Sequence, residues 1–355
     1  MPAPLFAPPP SLVVTSDTKV VHNPPGPWWA RRMDATSAAK QLGFAERDRL
    51  RFKDLGSGPE LPEDAEELME YCGVVAADRR EMLAARPDPG KDPEWWAITS
   101  ALAAEIQRDL DLAIPPTGFS SWPTVPPDAS PVGMFAAAWA LLASLPRLRE
   151  LHAERGVPEA VTVATVSALG GVMGTHRHIH GRPGVGLMPL WSPPLRFRGA
   201  DFEIGRHAFT RTQLGLGDGV SGHLLSIHIP PTGRLDAQES EESVAAAVEY
   251  FGRWYPEEPL AGLVCHSWLL DPQLAEYLSP ESNIVRFQRR FALLPYLPGE
   301  DPTEGDRELT RLGLHLPEQD LADVPQETTL QRAYVAHLRA GRHWQLRTGM
   351  LKPWS

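Results

Sequence analysis

The sequence predicts a mixed α/β protein of the α+β kind, with an all-helical N-terminal domain over residues 35–190 and a mixed-sheet domain over 191–355. Three observations predict it. Before residue 150, apolar residues recur every three or four positions and β-branched runs are few. From Leu195 onward, apolar and polar residues alternate, as half-buried antiparallel strands require. Further on, short apolar runs alternate with amphipathic stretches, and 355 residues is enough chain for two separate cores.

Residues 1–34 carry Pro8-Pro9-Pro10 and Pro24-Pro25 around the short apolar run at 12–14, and read as an extended arm. Helices are expected at 35–42 and at 62–72, where acidic residues crowd the first turn. A third is expected at 94–112, with Trp96, Ile98, Leu102, Ile106 and Leu110 at helical spacing, and a fourth at 131–145. In the second half, strands are expected at 195–204, 208–214 and 223–230, the last stopped by Pro230-Pro231 and the turn at Thr232-Gly233. A helix over 240–254 presents Val244, Ala247, Val248 and Phe251 on one face, and an apolar strand over 261–269 follows it. Asp271 is placed to cap a short helix ending at Leu278, with Pro272 in its first position, and Ser282 to cap a helix over 283–291. Strands at 292–296 and 344–350 and a helix at 329–340 complete the pattern.

Composition excludes several function classes. A net charge of −11 with no Lys/Arg cluster opposes nucleic-acid binding, and the arginines of 286–290 read as stems lying beside a core. Cys72 and Cys265 are too far apart in sequence for a CxxC zinc site or a disulfide scaffold, which fits a reducing cytoplasm. Residues 1–10 lack the basic and apolar regions of an export signal, and the longest apolar run, 132–145, is too short to cross a bilayer, so no membrane role is expected.

Two local signals stand apart. His176, His178 and His180 alternate, and in an extended strand their rings would share one face, able to supply imidazoles to zinc, iron or nickel; a helix would scatter them. With His207 they define an alternative, a metal-dependent enzyme, against which stand a solvated loop and the repelling charges of Arg177 and Arg182. Gly215, Gly217, Gly219 and Gly222 precede a strand, so they read as a hairpin-like loop and not as a phosphate cradle.

The runs LLSIHIPPTGRLD (224–236), VCHSWLLDPQLAEYL (264–278), SNIVRFQRRFALLP (282–295) and TLQRAYVAHLRAGRHW (329–344) resemble the GNAT-like C-terminal domain of acyltransferase domain-containing proteins. In that family it follows a helical N-acyltransferase N-terminal domain. The resemblance is specific over 195–351 and looser over 35–190. It implies a GNAT-like fold and transfer of an acyl group from a coenzyme A or carrier-protein thioester to a small-molecule amine or hydroxyl, without a metal. It also implies that Ile229, Pro230, Gly233 and Arg234 occupy the place of the cofactor loop. There the chain departs from the usual Gly-rich pattern: Pro230 and Pro231 lack amide protons, and Asp236, Glu239, Glu241 and Glu242 follow. A binding module that kept the fold without catalysis is a further alternative.

In a strand at 264–268, Cys265 and Ser267 face one way and His266 and Trp268 the other. His266 is a candidate general base, with a buried structural histidine as the competing reading. Cys265 is a candidate acyl-accepting nucleophile, with a buried structural thiol competing. His228 lies two residues before the strand end where GNAT-like sheets splay, and is the second candidate base. His223, Ser226, Ser267, Trp268, Asp271, Asn283 and Gln288 are candidate substrate contacts, with capping, core packing or solvation as their plainer roles.

Overall fold

The computed structural model describes residues 33–352 apart from 54, 57, 59, 116–120, 216–220, 232, 297–300 and 318; the arm up to residue 32, Gly217 and Gly219 lie outside the described residues. Helices come first along the chain. Asp34 caps α1 (Ala35–Gln41), accepting the Ser37 amide, and α2 (Glu46–Arg49), α3 (Ala65–Tyr71) and α4 (Ala76–Ala84) follow. The amphipathic α5 (Pro93–Arg108) begins on a proline and buries Ile98, Leu102 and Ile106. Its partner α6 (Pro131–Arg155) is capped by Ser130 and ended by Gly156 at φ 78°. α6 runs ten residues past the expected 131–145, because Leu148, Leu151 and His152 continue its buried side. By length and composition α6 is able to cross a membrane, but 78% of its apolar window is buried inside this fold.

One expected strand is partly helical, and the histidine run takes neither the extended form its metal reading requires nor a loop. The histidine run lies in α8 (Ala168–His180), which follows α7 (Glu159–Val166) and ends on Gly181 at φ 63°. The first part of 195–204 lies in α9 (Ser192–Phe197), where Pro193 and Pro194 occupy the first turn and need no amide partners; only Asp201–Ile204 is strand, β1.

The sheet adds β2 (His207–Gly215), β3 (Ser221–His228), β4 (Leu260–Ser267), β5 (Phe291–Leu293) and β6 (Arg347–Leu351), ordered β1-β2-β3-β4-β6-β5. All its pairs are antiparallel except β3 with β4. That parallel pair is bridged by α10 (Ala237–Trp254), capped by the Asp236 carboxylate, which accepts the Gln238 and Glu239 amides. Val244, Ala247 and Phe251 of α10 pack against Phe202, Phe209, Leu225 and Ile227 on one sheet face. Past β4 the expected strand gives way to a 3₁₀ turn, Trp268–Leu270, and α11 (Asn283–Arg289), α12 (Glu304–Glu308) and α13 (Thr329–Arg339) cover a separate core around Trp268, Leu274 and Trp344.

Candidate active site

The register of β3 against β4 frames the candidate site. Leu224 pairs with Gly262 and Ser226 with Val264, and there the ladder ends. Beyond that point, among the described residues, Ile227 and His228 pair only with β2, while Cys265, His266 and Ser267 pair only with β6. The two strands therefore part, each presenting an unzipped backbone edge to the gap. Between His223 and Leu224 the register shifts by a bulge, skipping Ala261.

Strand alternation decides which side chains border the opening. Ser226 and Val264 face the same way because they are paired, and His228 and His266, each two residues on, share that face. Ile227 and Cys265 take the opposite face; both lie in the core under α10. The thiol of Cys265 is fully buried, and burial pushes it up to about 12, which opposes the thiolate form that a nucleophile needs. The His228 imidazole is half-buried, its ring 4.8 Å from the ring of Trp191. Burial pushes its pKa below the ordinary histidine value; Asp201 opposes that shift, and the charges of Arg196 and His266 add to it. His266 is more exposed, with Nδ1 2.8 Å from the Thr348 hydroxyl across β6.

Beneath His228 the same sheet face is polar. Arg196 reaches Asp201 at 3.1 Å and Glu203 at 2.6 Å, and Thr210 donates to Asp201 at 2.7 Å. Thr210 is paired with Ser226, so these groups form a buried row next to the candidate base. Trp191 and Asp201 were not legible as site residues, since neither belongs to a motif and both arrive through tertiary contacts.

His223, at the zipped end of β3, lies 3.9 Å from Glu258, away from His228. The Ser267 hydroxyl accepts the Leu269 amide, and Trp268 is buried in the core beyond the sheet. Asp271 is fully buried and accepts from the Gln273 and Gln345 amides, and Gln288 donates to the carbonyls of Leu269 and Asp271. These groups brace the chain after β4, while Asn283 is exposed at the start of α11. Ile229 packs between two cores, and the loop that follows is held by Arg206, which donates to the carbonyls of Pro230, Gly233 and Arg234.

The metal alternative loses its geometric premise. In α8, His176 and His180 are neighbours at 4.9 Å between rings, while His178 points elsewhere, in the field of His315. His176 is fully buried, its Nδ1 3.0 Å from the Arg182 carbonyl and its Nε2 accepting the Leu187 amide, and burial lowers it to about 4. His207 is enclosed between Phe209 and Phe287. Among the described residues no group of three His, Cys, Asp or Glu could hold an ion.

A mixed sheet whose central parallel pair parts, with a strand-to-helix loop at the gap, defines a GNAT-like fold. The N-acyltransferase N-terminal domain matches residues 63–199 and the GNAT-like C-terminal domain residues 202–351. A solved acyltransferase in complex with decanoyl-CoA and teicoplanin is 32% identical, with TM-score 0.80, over 90% of this chain and 99% of that one. An acyltransferase in complex with decanoyl-CoA is 34% identical, with TM-score 0.78 and the same coverage. No curated protein matches the chain. The chain belongs to the acyltransferases that join an N-acyltransferase N-terminal domain to a GNAT-like C-terminal domain.

Proposed function

We propose that this acyltransferase moves an acyl group from a coenzyme A thioester to an amine or hydroxyl of a small-molecule acceptor of the glycopeptide class. The observation that carries the reading is the end of the β3/β4 ladder at Ser226 and Val264, with His228 and His266 on one face of the opening. The donors and the acceptor follow the similar acyltransferases, which hold decanoyl-CoA and teicoplanin. A carrier-protein thioester is the second donor class.

In this reading the pantetheine arm lies in the gap and uses the unzipped strand edges as hydrogen-bond partners. The acceptor attacks the thioester carbonyl carbon, and a freed strand amide stabilises the oxyanion. His228 takes the proton from the acceptor, the carbon–sulfur bond breaks, and the proton passes to the departing thiolate. His266, held through Thr348, supports the same face. Turnover of decanoyl-CoA with teicoplanin tests this in His228→Ala and His266→Ala. A strong loss with folding intact is expected; full activity in both variants removes the assignment. Calorimetric titration with decanoyl-CoA and with a decanoyl carrier protein separates the two donors.

A further inference from the structure

We propose that Arg206 is a positioning residue for the donor, orienting the loop after β3 so that its amides face the diphosphate of coenzyme A; this rests on the donor reading above. Arg206 stands in the tight turn between β1 and β2, behind Gly205 at φ 64°, and is almost wholly buried. Its guanidinium donates through Nε to the Arg234 carbonyl at 2.9 Å, through Nη1 to the Pro230 carbonyl at 2.9 Å and through Nη2 to the Gly233 carbonyl at 3.0 Å. A rigid planar fork thus fixes three carbonyls of one short loop.

The consequence follows from peptide geometry. In a trans peptide the carbonyl and the next amide point in opposite directions. Turning the Gly233 and Arg234 carbonyls onto Arg206 therefore turns the amides of Arg234 and Leu235 away from it. Neither amide has a hydrogen-bond acceptor among the described residues. The Pro230 carbonyl precedes Pro231, which has no amide, so that contact anchors the loop without presenting a donor.

The first turn of α10 is a poorer anion site than in a Gly-rich loop. The Asp236 carboxylate already accepts the Gln238 and Glu239 amides, and Glu239, Glu241 and Glu242 lie exposed beside it. The two loop amides and the exposed Arg234 side chain, which pairs with no acid among the described residues, are the donors left for a diphosphate. Arg206 makes that arrangement stiff, in the place where other chains use glycines.

The test compares two donors, decanoyl-CoA and S-decanoyl-pantetheine, which lacks the diphosphate and nucleotide. Wild-type protein, Arg206→Ala and Arg206→Lys are assayed with teicoplanin, with circular dichroism as the folding check. The expected result is a rise in KM for decanoyl-CoA of about ten-fold or more in Arg206→Ala, as expected for lost charge-assisted placement of an anion. Little change is expected for S-decanoyl-pantetheine, and incomplete recovery in Arg206→Lys, whose ammonium cannot fork to three carbonyls. If wild type shows no preference for decanoyl-CoA over S-decanoyl-pantetheine, the loop does not grip the diphosphate and the donor reading falls with the proposal. If wild type prefers decanoyl-CoA and Arg206→Ala keeps that preference, or loses both donors equally, the role of Arg206 alone is overturned. Should Arg206→Ala fail to fold, Arg206→Lys decides by the same comparison.

Discussion

The indole of Trp191 lies against the imidazole of His228, ring centroids 4.8 Å apart and planes tilted by 54°. Trp191 stands at the N-cap of α9 and His228 ends β3, so the contact joins the last helix before the sheet to the opening. It also shields the ring from water, and burial is the leading cause of the lowered His228 pKa. A base so shifted stays unprotonated below the ordinary value of 6.5. The acidic limb of kcat/KM should therefore fall below 6.5 and be absent in His228→Asn, which should lose roughly 10²–10⁴-fold in rate. In Trp191→Ala, readmitted water should move the limb up toward 6.5, and in Trp191→Phe it should stay near its original place. An unmoved limb in Trp191→Ala would detach the indole from the base.

Arg211 joins the sheet to the helical half by charge. It is nearly fully buried, pairs with Asp111 at 2.8 Å and with Glu258, donates to the Gly199 carbonyl and lies 4.1 Å over the Tyr255 ring. Arg155 of α6 also pairs with Asp111 and lies 4.3 Å from the centre of the same Tyr255 ring. Removing one member of a buried ionic network leaves the others uncompensated, which costs about 3–5 kcal/mol. Arg211→Ala should show that loss in denaturant unfolding, and Arg147→Ala, whose exposed pairs contribute little, should not. Equal stabilities of the two variants would refute the weight placed on the clamp.

Acid should unfold the protein partly through its buried histidines. His207 is fully buried, neither ring nitrogen has a hydrogen-bond partner among the described residues, and burial aided by Arg206 and Arg290 lowers it to about 3. His152 is lowered to about 4 by burial. In each case the unfolded chain takes up a proton near 6.5 and the folded chain only well below it. The stability these neutral rings contribute is thus present above 6.5 and is lost as pH falls toward 3, at up to about 1.4 kcal/mol per pH unit for each group. His207→Leu should flatten the stability curve between pH 6 and 4 relative to wild type. Parallel curves would show that His207 is not a source of acid sensitivity.

How far the fold could be read depended on whether an element was decided locally. α10 and α11 carry their own caps in Asp236 and Ser282, and β3 and β4 their own apolar runs, so periodicity found them within a few residues. The helical state of the histidine run was not legible there, because alternation of three residues says nothing about the backbone when a helix-compatible sequence precedes it. α9 misled because LRFRG alternates polarity within a single turn opened by two prolines. At the candidate site, strand ends and chemistry singled out two histidines that the structure puts on one face of the opening. Trp191 and Arg206 were not legible, because each acts across contacts of long sequence separation that no spacing encodes, and Asp201 was not, because its partners Arg196 and Thr210 come together only once β1 and β2 pair.

The start of α8 rests on the chain that follows α3. Its amide at Gly170 donates to the Cys72 carbonyl at 3.2 Å, so the helix starts directly on the backbone that ends α3. A Cβ at Gly170 would stand 2.1 Å from the Gly73 carbonyl oxygen, whereas one at the next residue, Gly171, would meet nothing within 4 Å. Replacing a helical glycine by alanine normally stabilises by roughly 0.5–1 kcal/mol. At Gly170 the clash is with backbone, which cannot rotate away, and overpacking of this kind costs about 1–3 kcal/mol. The clash therefore outweighs the helical gain: Gly170→Ala should lower unfolding free energy and Gly171→Ala should raise it slightly. Denaturant titrations of both variants giving the same sign would mean that α8 does not rest on residues 72–74 as described.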